Sequence, residues 1–201
     1  MTNCYVLSSE GKCIIVDPGG EPERIVEEID RENLKPTHII STHGHFDHIL
    51  SGRALEMKYG TGIMLHEDDR TLLNDPDLSP DNFIPGLEYV LPENIIFWKD
   101  TVELNLSGHK LTLIHTPWHT PGSSIIAGDG FILTGDTLFK LSIGRTDLGG
   151  DESQIVESLK KIISYGEATK IYPGHGESSD IRFEILNNSY VRNIIKKGSL
   201  Y

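Results

Sequence analysis

The sequence predicts one mixed α/β domain, and three observations carry that reading. At 201 residues the chain is long enough for a single sizeable core. Short β-prone runs bounded by Gly, Pro and Asp recur in both halves, with amphipathic helical patterns among them. Apolar residues make up 37% and charged residues 24%, and no repeat or low-complexity tract interrupts them, which is a globular and not a disordered composition. The expected organisation is a single domain over residues 1–201.

Residues 4–7 and 13–17 are short apolar runs joined by Ser8-Ser9-Glu10-Gly11-Lys12, a polar, glycine-containing segment suited to a hairpin loop. Asp17-Pro18-Gly19-Gly20 stops the second strand, and a helix starts at Glu21 with Pro22 in its first turn. Ile25, Val26 and Ile29 share one helical face, and Lys35-Pro36 is expected to end the helix. A strand at 38–41 then leads into Thr42-His43-Gly44-His45-Phe46-Asp47-His48, which fits no periodicity. Residues 51–59 read as a helix, 61–66 as a strand and 67–74 as a short helix with an acidic start. Residues 75–92 carry Pro76, Pro80, Pro85 and Pro92, too many for a regular element; the segment reads equally as a binding wall and as a solvated connector.

In the second half, 101–106 with 111–115 and 123–127 with 131–134 read as two hairpins. An amphipathic helix over 152–165 places Ile155, Val156, Leu159, Ile162 and Ile163 on one face, and Gly166 ends it. A strand at 170–172 feeds Pro173-Gly174-His175-Gly176, and a last helix over 181–197 is broken near Asn187-Asn188.

The formal charge is −12, from 30 acidic and 18 basic side chains, so the surface repels phosphate backbones and anionic headgroups. Nucleic acid and membrane are thereby disfavoured as partners, and a small-molecule substrate is expected. The two cysteines, Cys4 and Cys13, flank the first hairpin, a spacing at which a disulfide is conceivable but two packed thiols are the more usual outcome. There is no basic start followed by an apolar run and no apolar stretch near the roughly 20 residues of a membrane span. A cytoplasmic protein is the expectation.

The chemistry sits in His43-x-His45-x-Asp47-His48. Residues two apart on an extended segment project to the same side, so His43 and His45 address one point. Asp47 and His48 follow the turn and address a neighbouring point, and Gly44 allows close backbone approach. His119, Asp136 and His175 each follow a strand beside glycine or proline, where scaffolds present ligands. Singly, each reads more readily as a surface or turn residue than as a ligand; the clustered motif is what argues for metal. Five neutral imidazoles and two carboxylates without a thiolate suit two divalent transition metals, zinc foremost, with iron or manganese as alternatives. His38, His66 and His109 are read as structural, with no partner at ligand spacing, and His115 as packing or supporting a ligand.

These motifs, in this order, resemble the metallo-β-lactamase superfamily and within it the glyoxalase II-like branch: Asn3-Cys4-Tyr5-Val6-Leu7, Asp17-Pro18-Gly19, T-H-x-H-x-D-H, T-P-x-H-T-P-G-S, G-D-T-L-F, residues 144–150, and P-G-H-G. The resemblance implies a four-layer αβ/βα sandwich of two mixed β-sheets flanked by helices, with a dinuclear site at one edge of the sheets. It implies that His43, His45 and His119 hold one metal, that Asp47, His48 and His175 hold the other, and that Asp136 bridges them. It further implies hydrolysis of a small thioester such as S-lactoylglutathione by a hydroxide generated between the metals, with Asp47 orienting it or taking up its proton. A bridging Asp, where true β-lactamases have Cys, argues against β-lactams.

Three departures accompany the resemblance. Trp118 stands where relatives often have Gly and is expected to narrow the pocket beside His119. The usual first strand is expected to be shortened or missing. The C-terminal helical domain with which full-length glyoxalase II enzymes bind glutathione is expected to be absent. Arg145 reads equally as a substrate contact and as a surface partner of Asp147. Alternatives on the same fold are a mononuclear iron persulfide dioxygenase, which usually carries Ala-His-Asp in place of Gly174-His175-Gly176, a lactone hydrolase, and a non-catalytic metal-binding module.

Overall fold

The structure, a computed structural model, describes residues 1–87 and 89–196. Strands β1 (Tyr5–Ser9) and β2 (Lys12–Val16) form the expected antiparallel hairpin, with Tyr5 opposite Val16. Helix α1 (Pro22–Arg31) follows, with Pro22 in its first turn and Ile25 and Ile29 buried. It ends earlier than Lys35-Pro36 suggested. Asn33 adopts φ 51°, and Leu34 N–H donates to Ile29 O at 2.9 Å, a left-handed stop that turns the chain back. Pro36 instead lies inside β3 (Lys35–Ile40), where the register with β2 shifts and before the ladder to the next strand begins at Ile39, so its missing N–H breaks no bond there.

After β3 come the one-turn helix α2 (Phe46–Ile49), α3 (Gly52–Tyr59) and β4 (Ile63–His66). Residues 67–74 form two 3₁₀ turns, Glu67–Asp69 and Leu72–Asn74, not one helix. The proline-rich stretch holds a third such turn, Pro76–Leu78, and the short helix α4 (Pro80–Phe83), with no buried residue in either. Strand β5 (Ile95–Trp98), unforeseen from its four-residue apolar run, lies parallel to β4 and completes a five-stranded sheet in the order β1-β2-β3-β4-β5.

The second sheet is built from β6 (Val102–Leu106), β7 (His109–His115), β8 (Ser124–Gly128), β9 (Phe131–Gly135), and, past the small hairpin β10 (Leu138–Phe139) and β11 (Ser142–Ile143), β12 (Lys170–Pro173) and β13 (Ser179–Asp180). Its order is β13-β12-β9-β8-β7-β6, with β12 parallel to β9 and the other neighbours antiparallel. The amphipathic helix begins as a 3₁₀ turn (Glu152–Gln154) and continues as α5 (Ile155–Ile163). The last helix divides at Asn188 into α6 (Ile181–Asn187) and α7 (Ser189–Lys196); the expected end at Lys197 lies outside the described residues.

Three apolar clusters stack these layers. Ile14, Val16, Ile40, Leu113, Ile126 and Leu133 meet between the sheets. Ile15, Ile29, Ile39 and Leu55 join the first sheet to α1 and α3, and Ile125, Ile132, Leu159, Ile162, Ile171 and Val191 join the second sheet to α5 and α7. The side chains of β2 therefore alternate between two buried faces, which is why Lys12–Val16 reads as a continuous apolar run. The result is the four-layer αβ/βα sandwich. Cys4 and Cys13 are free thiols.

Candidate metal centre

The functional side chains collect where strands end. His43, His45, Asp47 and His48 follow β3, His119 follows β7, Asp136 follows β9 and His175 follows β12. Strands β7, β9 and β12 all run the same way in the second sheet, so their C-terminal ends share one edge, and the loop after β3 meets them there. All seven sequence-predicted candidates come together. Their donor atoms form interlocking groups, each within 4.8 Å: His43, His45 and His119; His43, His48 and Asp136; Asp47, His48 and His175.

The first group is legible through its hydrogen bonds. His119 Nδ1 donates to Arg145 O at 2.6 Å, and His45 Nε2 donates to Leu148 O at 2.9 Å. Thr42 Oγ1 donates to Asp17 Oδ2 and so accepts from His43 Nδ1 at 3.2 Å. Each ring thus commits its proton outward, leaving His43 Nε2, His45 Nδ1 and His119 Nε2 as lone pairs. These face one another at 3.1 Å (His43 to His45) and 2.9 Å (His45 to His119), a repulsive arrangement that a cation among them would relieve. The spacing is close to the roughly 3.3 Å edge of a tetrahedron with zinc–nitrogen bonds of about 2.0–2.1 Å.

Asp136 adds a second sign. Its Oδ1 is buried without a hydrogen-bond partner among the described residues, 3.5 Å from His48 Nε2, and its Oδ2 lies 3.4 Å from His175 Nε2 and 3.6 Å from His119 Nε2. A buried, unpaired carboxylate oxygen is costly, and a metal ion is its natural partner. The donor set therefore fits two cations held side by side.

Electrostatics divide the histidines into two kinds. Burial lowers the pKa of His43, His45 and His119, aided by neighbouring imidazoles, so all three are neutral at physiological pH. Burial opposes charge on His48 too, but Asp17, at 3.1 Å from Nδ1, and Asp136 outweigh it and raise its pKa to about 9. His175, hydrogen-bonded to Asp136 and Asp47, rises to about 10. Burial pushes Asp47 up, but His175, His48 and a 2.7 Å bond from Thr2 Oγ1 hold it well below the usual carboxylate range.

Three supports escaped the sequence reading. Asp17, at the end of β2, accepts from Thr42 N at 2.7 Å and orients both the His43 loop and the His48 ring. Asp69 is fully buried and accepts from Gly44 N (2.8 Å), Gly122 N (2.5 Å) and Thr120 Oγ1 (2.8 Å), joining the two loops that carry His45 and His119. Gly174 passes so close to the cluster that a Cβ there would lie 2.2 Å from Asp136 Oδ1 and 2.7 Å from His48 Cε1.

Other expectations changed. Trp118 does not narrow the pocket: it is buried and donates Nε1–H to Gly144 O at 2.9 Å, tying the 144–150 segment to the His119 loop. Arg145 pairs with Asp147, both side chains 63% exposed, while lining the cavity beside the cluster. His66 and His115 do have partners at ligand spacing, since they gather with Asp68. Their rings stack at 3.8 Å with planes 14° apart, and each donates Nε2–H to a carbonyl, Lys99 O or Pro121 O. An ion cannot lie in the plane of two such stacked rings at once, so the group is a packing feature beneath Trp98.

The family model described as the metallo-beta-lactamase superfamily matches residues 1–175, and the chain belongs to that superfamily. It is a metal-dependent hydrolytic enzyme, with metal-binding clusters consistent with a binuclear site. It is 34% identical over 193 residues to "Probable metallo-hydrolase YqgX" of Bacillus subtilis, covering 94% of this chain and 92% of the relative. It is 31% identical over 205 residues to "Hydroxyacylglutathione hydrolase GloC" of Haemophilus influenzae, covering 95% and 93%. Among solved structures, the BLEG-1 B3 metallo-beta-lactamase is 33% identical at a TM-score of 0.83, covering 94% of each chain. TTHA1623 in a di-iron-bound form is 29% identical at 0.83, again over 94% of each. Among the described residues no helix is long and apolar enough to cross a membrane.

Proposed function

We propose that the chain is a thioesterase of the glyoxalase II-like branch, cleaving small thioesters of which S-lactoylglutathione is one. In this reading His43, His45 and His119 would hold one divalent metal and Asp47, His48 and His175 the second, with Asp136 within reach of both. The observation that carries it is the convergence of three outward-anchored imidazole lone pairs beside the unpartnered Asp136 oxygen. Two bound divalent cations supply a lowered pKa for water and polarisation of a carbonyl. The protein's share is placement. Asp47, held ionised and open on one side to the cavity, accepts a hydrogen bond from the attacking water and aims its oxygen at the thioester carbon. Backbone carbonyls of Arg145 and Leu148 fix His119 and His45, so little reorganisation accompanies reaction.

The relative named as a hydroxyacylglutathione hydrolase, matched over 93% of its length, supports a glutathione thioester as one substrate. Zinc suits the donor set best, and the di-iron form of TTHA1623 makes iron the first alternative. The 33% identity to the BLEG-1 B3 metallo-beta-lactamase favours a β-lactam as the second substrate to assay. The test is metal analysis of reconstituted protein together with parallel assays of the zinc, manganese and iron forms on S-lactoylglutathione, other small thioesters and a chromogenic cephalosporin. Two metals per chain and thioester cleavage are expected. Cleavage of the β-lactam alone, or oxygen uptake with a persulfide by the iron form without thioester cleavage, would overturn the reading.

A further inference from the structure

The cavity of about 420 Å³ that opens onto His45 and Asp47 lies within the roughly 300–1,000 Å³ range of small-molecule sites. Its walls are mostly apolar: Phe46 and Leu50 at the α2 turn, Leu78, Phe83 and Ile84 from the proline-rich segment, and Leu148. Phe83 and Ile84 are 45% and 50% exposed, although Phe83 already packs its ring 5.6 Å from that of Phe46. Two large, half-exposed apolar side chains thus stand side by side and line the approach to the metal cluster, whereas most of the chain's isoleucines pack into three cores.

The charged groups lining this cavity are few. Asp47 belongs to the metal cluster, and the Arg145 guanidinium is engaged by Asp147. Apart from the amino terminus at the fully exposed Met1, a substrate arm seated here would find, among the described residues, no unengaged cation for a carboxylate and no unengaged anion for an ammonium. The thiol halves of common biological thioesters, peptide-like or phosphate-bearing, are polar or charged, whereas the acyl half varies in apolar length. We propose that this cavity receives the acyl arm of the substrate, and that the preferred substrates are thioesters with an unbranched aliphatic acyl chain of about four to eight carbons. The assignment rests on the thioesterase reading above and deepens it. On hydrolysis the carbonyl–sulfur bond breaks and a carbon–oxygen bond to water's oxygen forms; one proton of the water goes to the leaving thiolate and the other to solvent, so the arm leaves as a carboxylate with the thiol released.

The test holds the thiol constant and lengthens the acyl group from acetyl through butanoyl and hexanoyl to octanoyl. In the native protein kcat/KM is expected to rise about three- to fourfold per methylene buried. Phe83→Ser and Ile84→Ser should lower it by an amount that grows with chain length, flattening the series. A flat or falling native series would overturn the assignment, as would an equal rise when acetyl is kept and an alkyl thiol is lengthened. A second readout does not need turnover: binding of butanoate, hexanoate and octanoate to the metal-loaded protein by calorimetry. Affinity should rise with length and lose that trend in Phe83→Ser. If no thioester is cleaved the hydrolase reading falls, while the carboxylate series still decides the cavity: a trend removed by Phe83→Ser supports an apolar-arm site, and its absence overturns it.

Discussion

The buried carboxylate of Asp69 accepts the Gly122 backbone N–H, and a Cβ at position 122 would lie 2.6 Å from the Asp69 carboxyl carbon, so the two residues fit only as carboxylate and glycine. Gly44 N and Thr120 Oγ1 donate to the same carboxylate. Asp69→Ala leaves three buried donors without a partner, at about 1–3 kcal/mol each. The expected outcome is a loss of at least about 3 kcal/mol in denaturant unfolding of the metal-free protein, with weaker metal retention in the His43, His45, His119 group. Asp69→Asn, whose amide hydrogens face donors, should recover only part of this. Native stability in Asp69→Ala would remove Asp69 as the tie between the loops.

Metal loading should release protons unevenly. His43, His45 and His119 have lowered pKa values and lose no proton at pH 7, whereas His48 (about 9) and His175 (about 10) are protonated until a metal displaces the proton. Affinity of the second group should rise about tenfold per pH unit for each proton displaced, and that of the first should barely move over pH 7–9. Calorimetry in buffers of different ionisation enthalpy measures this directly. Without metal, the folded pKa values of His48 and His175 stand above their unfolded values. Their stabilisation is therefore full below about pH 6.5 and is lost as pH rises through 9 to 10.

His175→Ala should empty the second group while leaving the fold intact, because His175 sits in a loop after β12 and is partly exposed. Metal content is expected to fall to about one per chain, with hydrolysis greatly reduced and the circular dichroism unchanged. Unaltered turnover would remove His175 from the centre.

Gly174→Ala tests the same spot sterically. A methyl 2.2 Å from Asp136 Oδ1 must push that carboxylate aside, so metal affinity should drop about 10–100-fold, the range seen when groups that orient a ligand are disturbed. The reading is a chelator-competition titration; native affinity would mean that the Asp136 position is not needed.

Much of the centre was legible because chemistry was concentrated locally. The spacing of His43, His45, Asp47 and His48 announces itself, and the strand-end positions of His119, Asp136 and His175 follow from their Gly and Pro neighbours. What escaped depends on residues far apart in sequence. Asp69 looks like an acidic helix start until Gly44 and Gly122 are seen to point at it. The His66–His115 stack forms only when β4 and β7 lie in facing sheets. The end of α1 was misplaced because Asn33 in a left-handed conformation stops a helix as well as a proline does, and β5 was missed because four apolar residues carry no period.

The segments Pro76–Leu78 and Pro80–Phe83 contribute no buried residue, yet Leu78 and Phe83 form one wall of the cavity. If the cavity selects the acyl arm as proposed, this one wall can vary without disturbing the three cores or the seven candidate ligands, although Phe46, Leu50 and Leu148 on the other walls are tied to the ligand loops. On that proposal, descendants of this sequence could change their substrate preference at a handful of surface positions while the metal-site residues stay as they are. Insertions and deletions between related enzymes should accordingly gather between β4 and β5, not around the strand ends that carry the histidines.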